Sequence, residues 1–509
     1  MLGMSKREIS PDVKPERSSR RLLSKYWPVI PISAVVIIAY IWFVSSGTWT
    51  QWDSATRYYT DLAKGFQLGQ LSLARNVPAR LLASPDPYNA NTAGDIQFPL
   101  DLSYYRGKYY LAFGPVPALA LVIIHLLTQQ WLTDLHLAFL FACGLYLLEA
   151  CLILSLWNRY FRTLPKWMLW TALGLAGFAG PITFMLDNGR SARVYEAAVA
   201  GGQLFLISGL LVLLTAREQR PSGWRLALAS LLWALAIGAR ADLLLPVAFL
   251  VIAASAWLLA ANDWSPRAFT RLIPAAVILA CAGAILAWYD WARFGSPFET
   301  GYYYQLSTLH LQQNWDARFS LSYIPPNLYS YVIGPASVTH EFPYLHATYV
   351  RPPLFLFGRR TDFYASQWVT GVLWMFPFAV FGVVAVASAI ARQARRPKVK
   401  SEGDAAQAHS LDWTTLILTC ASAAALGLLL LYFWTAMRFV EDFLPALMIL
   451  SILGFWEGYQ ILSKRPTGQR IYAITGGLLA MASIVTSVLL GMSALTARIP
   501  LEQLFPILK

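Results

Sequence analysis

Acidic side chains and cysteines are what this 509-residue chain has least of for its size. Aspartate and glutamate number 27 against 40 lysines and arginines, and charged residues of both signs make up 13% of the chain. The net charge of +13 is carried largely by short basic stretches between apolar segments. There it orients helices and meets anionic headgroups, so the expected partners are membrane lipids and no nucleic acid. The four cysteines, Cys143, Cys151, Cys281 and Cys420, all fall inside apolar segments and form no Cys-x-x-Cys pair. That excludes a disulfide framework and a cysteine-based metal site. A small-residue cleavage site is also missing after the basic first 26 residues, so the following apolar stretch reads as a retained signal anchor. No soluble domain and no internal repeat stands out.

What the chain has instead is apolar length. Hydrophobic residues make up 57% of it, in continuous runs longer than a soluble core helix needs. The runs do not alternate, which favours helices over a barrel. Segments near 27–46, 135–157, 166–187, 195–216, 223–240, 243–261, 271–292, 367–392, 413–435, 441–462 and 471–494 predict an all-α polytopic membrane protein with about eleven transmembrane helices. The run 113–127 is short and opens on Gly114-Pro115-Val116-Pro117. Taking it as a re-entrant or interfacial helix puts Arg159, Arg162, Lys166, Arg217, Arg220, Arg225, Arg267, Arg271, Arg392, Arg395, Lys464 and Arg465 on the N-terminal, cytoplasmic side. The chain then divides into a cytoplasmic tail (1–26), a transmembrane module (27–292) with an external loop at 47–134, an external loop or lid (293–366) and C-terminal helices (367–509). The stretch 397–412 reads as a flexible linker.

This topology collects the unusual polar residues on the external face. Trp52 to Phe66 has Ala55, Tyr59, Leu62 and Phe66 at helical spacing, predicting an amphipathic helix with Asp53 at its beginning. As a lone residue, Asp53 reads equally as a helix cap. Asp101 and Lys108 precede the proline-started helix; Arg190, Arg193 and Glu196 lie in a turn; Arg240 and Asp242, with Arg438 and Asp442, complete the set. Arginine and lysine hold a phosphate and stabilise the charge it gains on leaving, and a carboxylate takes the proton from an attacking hydroxyl. Each cation alone reads as a snorkelling or locally paired side chain. Within the membrane, Glu149 is the clear ionisable residue.

The layout resembles the GT-C glycosyltransferases, integral-membrane enzymes that use polyprenyl-phosphate-linked sugars, nearest to the protein O-mannosyltransferase and aminoarabinose-transferase branch. The matching phrases are Asp53-Ser54…Tyr58…Leu62-Ala63…Gly69-Gln70-Leu71, then Lys108-Tyr109-Tyr110…Gly114-Pro115-Val116-Pro117. Arg190-Ser191-Ala192-Arg193-Val194-Tyr195-Glu196, the long loop after the seventh span, and Arg438-Phe439 with Asp442-Phe443-Leu444-Pro445 complete them. The family's acidic pair after the first span is Asp53-Ser54 here, with one carboxylate.

The resemblance implies a GT-C-like fold and an inverting transfer from a polyprenyl-phosphate-sugar donor to a glycan, lipid or protein acceptor, at the periplasmic face of a bacterial inner membrane. Asp53 is then the general base and Lys108 the phosphate ligand, with Arg240 or Arg438. Tyr58, Asp101, Arg190, Arg193 and Glu196 line the substrate site. His340 and Glu341 are the candidate ligands for a divalent metal ion. A transporter or flippase of lipid-linked glycans is the alternative from another class, and it requires polar residues through the bilayer. A non-catalytic envelope assembly protein is the third reading.

Overall fold

A computed structural model describes residues 29–89, 99–186, 193–215, 221–350, 353, 363–395 and 402–497. The apolar runs form helices wherever they were expected. In chain order these are α1 (Val29–Val44), α2 (Tyr58–Gln67), the hairpin strands β1 (Leu102–Tyr105) and β2 (Lys108–Leu111), α3 (Val116–Thr128), α4 (Asp134–Leu156), α5 (Lys166–Phe178), α6 (Arg193–Leu214), α7 (Gly223–Ala239), α8 (Leu244–Ala260), α9 (Ile273–Phe294), α10 (Phe381–Arg395), α11 (Glu402–Leu431), α12 (Leu444–Ile461) and α13 (Pro466–Thr496). Among the described residues nine helical stretches are long and apolar enough to cross a membrane. The protein is thus a helical, multi-pass membrane protein. The other two expected spans, α1 and α7, have 16 and 17 residues. The short α3 has 13 residues and packs against α2.

Because lipid tails are as apolar as leucine, helices in a membrane associate through close packing of small residues rather than through the hydrophobic effect. The sequence of α6 supplies them: Ala197, Ala198, Ala200, Gly201, Gly202 and Gly209 are at its contacts with α4 and α7. Trp233 of α7 lies on Gly209, where a Cβ would come within 2.3 Å of its ring nitrogen, and donates that N–H to the Leu206 carbonyl. On the other side of the bundle Gly454 of α12 faces α10 so closely that a Cβ would sit 1.9 Å from the Phe381 carbonyl oxygen. Arg392 ties α10 to its neighbours, donating to Asp412 of α11 at 2.7 Å and Glu457 of α12 at 2.9 Å.

Three expectations are corrected. The expected span at 367–392 begins at Pro377, which stops a helix from running through Phe376; Val372–Met375 is a separate helical turn, and Pro377–Val380 is a tighter turn leading into α10. The residues before it pair instead, Ala365–Ser366 with Trp434–Thr435 and Trp368–Val369 with Thr348–Tyr349. The stretch read as a flexible linker is helical from Glu402, and Gln407 and Ser410 hold it to Arg159 and Tyr160. The expected span 166–187 is broken after Phe178, where Gly180 (φ +131°) and Pro181 precede a separate turn, Ile182–Met185.

The long loops lie together at one side of the bundle. Their centre is the β1–β2 hairpin, which pairs Leu102 with Leu111 and Tyr105 with Lys108. Its turn, Arg106-Gly107, has both residues at positive φ (47° and 76°), the geometry that suits a two-residue hairpin loop. Arg293, at the end of α9, donates to the Leu111 carbonyl at 2.7 Å and stacks on Tyr289. The loop after α9 is joined to the hairpin by Leu306 N–H to Leu102 O and Asp101 N–H to Leu306 O. Fully buried Asn327 donates to the carbonyls of Leu429, Leu430 and Tyr432, satisfying acceptors that the end of α11 leaves open.

Candidate active site

The segment bearing Asp53 is held in a way the sequence conceals. The helix expected to begin beside Asp53 begins at Tyr58, and Arg57 at its start makes no side-chain capping bond. The cap comes from Asp134, the first residue of α4 and fully buried. Its carboxylate accepts from Thr56 Oγ1 (2.6 Å), Tyr58 N–H (2.8 Å) and Tyr59 N–H (3.0 Å). A carboxylate at a helix N-terminus satisfies open N–H donors and meets the positive end of the dipole; here an acid from the first turn of α4 caps α2. Ser54 Oγ accepts from the Leu135 N–H at 3.3 Å, and Trp52 stacks on His136. Asp53 therefore stands exposed between two anchored neighbours, with no ion pair or side-chain hydrogen bond among the described residues. Thr133-Asp134 before an apolar run signals a helix start, but no local pattern shows that the acid caps α2.

A second group assembles where the hairpin, α6 and the turn before α12 meet. Tyr195 donates to Asp101 Oδ1 at 2.5 Å, and Gln305 reaches the same pair at 3.3 and 3.5 Å. Asp101 has φ +72°, an uncommon conformation for a residue with a Cβ, held by its backbone bond to Leu306. Burial pushes its carboxyl above the ordinary carboxylate range, against the opposing Tyr195 hydroxyl and Arg438 charge. Tyr58 joins the group from α2, donating to the Leu100 carbonyl at 3.1 Å; burial raises its hydroxyl to about 12.

The two arginines of this region differ in their company. Arg240 is buried, and its guanidinium lies 2.8 Å from Asp442 and 3.2 Å from Asp242, so carboxylates match its charge. Arg438 is half-buried, sits 4.2 Å over the Tyr195 ring and donates to the neutral Gln367 side chain at 2.7 Å. No carboxylate forms an ion pair with it among the described residues. Both guanidiniums lie 5.1 Å from the Phe439 ring. Glu196 is buried beside this group, with one carboxylate oxygen lacking a hydrogen-bond partner.

Asp101, Tyr195, Arg438 and Tyr58 thus come together from four separate phrases of the chain, with the Arg240–Asp442 pair adjoining across Phe439. Arg193, expected to bind substrate, is instead 1% exposed and donates to the Met185 carbonyl, which turns it inward. Arg190 lies outside the described residues. Lys108 is exposed at the hairpin tip and unpaired with any of the above. His340 and Glu341 are exposed between two short strands, and among the described residues no three metal-ligating side chains gather anywhere.

No family model matches the sequence, and no curated protein matches it. Its overall arrangement is similar to that of the oligosaccharyltransferase of Archaeoglobus fulgidus. The similarity is at 15% identity and TM-score 0.44 to the apo form, and 14% and 0.44 to the form tethered to an acceptor peptide containing the NVT sequon. It is at 13% and 0.45 to the same organism's AglB in complex with an inhibitory peptide and a dolichol-phosphate. Each likeness covers 93% of this chain and 56% of the other, so the chain spans little more than half the length of those structures.

Proposed function

We propose that the protein is a glycosyltransferase that moves a sugar from a polyprenyl-phosphate donor to an acceptor hydroxyl at the external face of the membrane. The observation that carries this reading is Arg438, a half-buried guanidinium with no ion-paired carboxylate among the described residues, positioned by Tyr195 and Gln367. A cation held this way has charge to offer an incoming phosphate, whereas that of Arg240 is already matched by Asp442 and Asp242. Lys108 and Arg438 are the phosphate ligands and Arg240 supports Arg438 across Phe439; Tyr58, Asp101 and Glu196 line the substrate site.

In the reaction the acceptor oxygen attacks the anomeric carbon as its proton passes to the Asp53 carboxylate. The bond between that carbon and the phosphate oxygen breaks on the opposite face, and polyprenyl phosphate leaves with the bonding pair, inverting the configuration. Arg438 stabilises the charge developing on the leaving group. Asp53 suits its part because it is exposed, bonded to no cation, and set on a segment clamped by Asp134 on one side and Trp52 on the other.

The test is lipid analysis of a strain lacking the gene, complemented by wild type or by Asp53→Asn. The strain is expected to accumulate a polyprenyl-phosphate sugar that wild type clears and Asp53→Asn does not, with transfer slowed about 10²–10⁴-fold. Full complementation by Asp53→Asn removes Asp53 as the base, and no accumulation in the strain removes the transferase.

A further inference from the structure

Away from the group just described, the bundle holds two carboxylates in one cavity. Glu149 of α4 and Glu441, in the turn before α12, both line it, together with Tyr40 of α1 and Tyr146 of α4. The remaining lining is alanine, leucine, isoleucine, proline and methionine, and among the described residues no lysine, arginine or histidine reaches it. Glu149 is 3% exposed and Glu441 5%. Neither side chain has a hydrogen bond or ion pair among the described residues. The site is deep: Glu149 lies about 22 Å along α4 from Asp134, at 1.5 Å per residue. The turn carrying Glu441 is sunk to meet it, since Gln203, about 15 Å into α6 by the same rise, donates to the Asp442 carbonyl.

Two carboxylates in an apolar cavity without a basic partner are costly to ionise together, and such residues inside a membrane bundle mark a ligand or ion pathway. The other groups present are also oxygens. Tyr40 donates its proton to the Gly177 carbonyl, which leaves its hydroxyl oxygen able to accept or coordinate, and Tyr146 accepts weakly from Ser33 at 3.4 Å. Carboxylate and hydroxyl oxygens are hard ligands. The cavity has room for about one water-sized occupant, which excludes a magnesium ion with its retained waters and the six to eight oxygens calcium takes.

We propose that Glu149 and Glu441, with the Tyr40 and Tyr146 hydroxyls, bind one sodium ion within the helix bundle. This goes beyond the proposed transfer reaction and does not depend on it. The ion joins α4 to the turn that carries Arg438 and Asp442, so its occupancy stabilises that turn against the bundle.

The experiment uses the full-length protein in detergent, unfolded thermally in sodium chloride and in choline chloride of equal ionic strength. Sodium is expected to raise the Tm by a few degrees in a saturable manner, since a ligand of the native state stabilises by mass action. Glu149→Gln and Glu441→Gln are each expected to abolish the increment. Radiolabelled sodium binding to the wild type is read in parallel, so that a poorly folding variant does not decide the matter; one ion per chain is expected. A wild-type Tm that is equal in the two salts, an increment retained in both variants, or no bound sodium overturns the proposal.

Discussion

Asp134 and Arg438 show how much a single side chain depends on what surrounds it. Asp134 accepts three hydrogen bonds in a fully buried position. Asp134→Ala leaves the Tyr58 and Tyr59 amides and the Thr56 hydroxyl without that acceptor, at roughly 1–3 kcal/mol for each buried donor left open. The expected result is faster hydrogen exchange across 56–60 and a lower Tm, and unchanged exchange there counts against the cross-helix cap. The two arginines separate by readout. Arg438→Ala is expected to lower kcat as well as raise the KM for the lipid donor, with a near-native Tm. Arg240→Ala leaves Asp442 buried without its cation and is expected to lower the Tm by the equivalent of about 3–5 kcal/mol. At Asp101 the folded-state pKa lies above the unfolded value, so the stability this group contributes is complete below about pH 4 and is lost as pH rises through the folded pKa. Asparagine does not titrate, so the Tm of Asp101→Asn relative to wild type is expected to rise as pH increases from about 4 through the folded pKa; a flat difference removes the perturbation.

At the scale of elements, helix existence was legible and helix ends were not. Apolar length is a local property, and each expected span has a helical counterpart. The end points depended on partners or breakers: Asp134 for the start of α2, Pro377 for the start of α10, and Arg159 and Tyr160 for the early start of α11. The close approach of α10 and α12 is equally non-local. Gly454→Ala places a methyl 1.9 Å from the Phe381 carbonyl oxygen, which belongs to backbone and yields at a cost of about 1–3 kcal/mol. Gly427→Ala, with nothing within 4 Å of the added carbon inside α11, is the matched control and is expected to keep or slightly raise the wild-type Tm. Equal melting of the two variants removes the packing argument.

For the whole molecule, the basic residues define a testable orientation. In a cysteine-free background, Lys108→Cys and Asp316→Cys are expected to react with an impermeant thiol reagent from outside the cell. Arg267→Cys and Arg465→Cys are expected to react only after permeabilisation; all four positions are exposed. Labelling of position 267 or 465 in intact cells reverses the topology.

The sequence by itself determined that this is a helical membrane protein, because a run of apolar residues needs no partner elsewhere in the chain to be unstable in water and stable as a helix in lipid. It also singled out most of the polar residues that the tertiary structure gathers: Tyr58, Asp101, Glu196, Arg240 and Arg438. Their pairing was decided only by the fold. Tyr58 and Asp134 are 76 residues apart, and Asp101 and Tyr195 are 94 apart. Glu149 was visible as an intramembrane acid, but nothing local to Glu441 showed that the fold would place both in one cavity. Local pattern sets which segments become helices; whether an ionisable side chain is matched, open or facing a like charge is a property of contacts, and those exist only once the helices have packed.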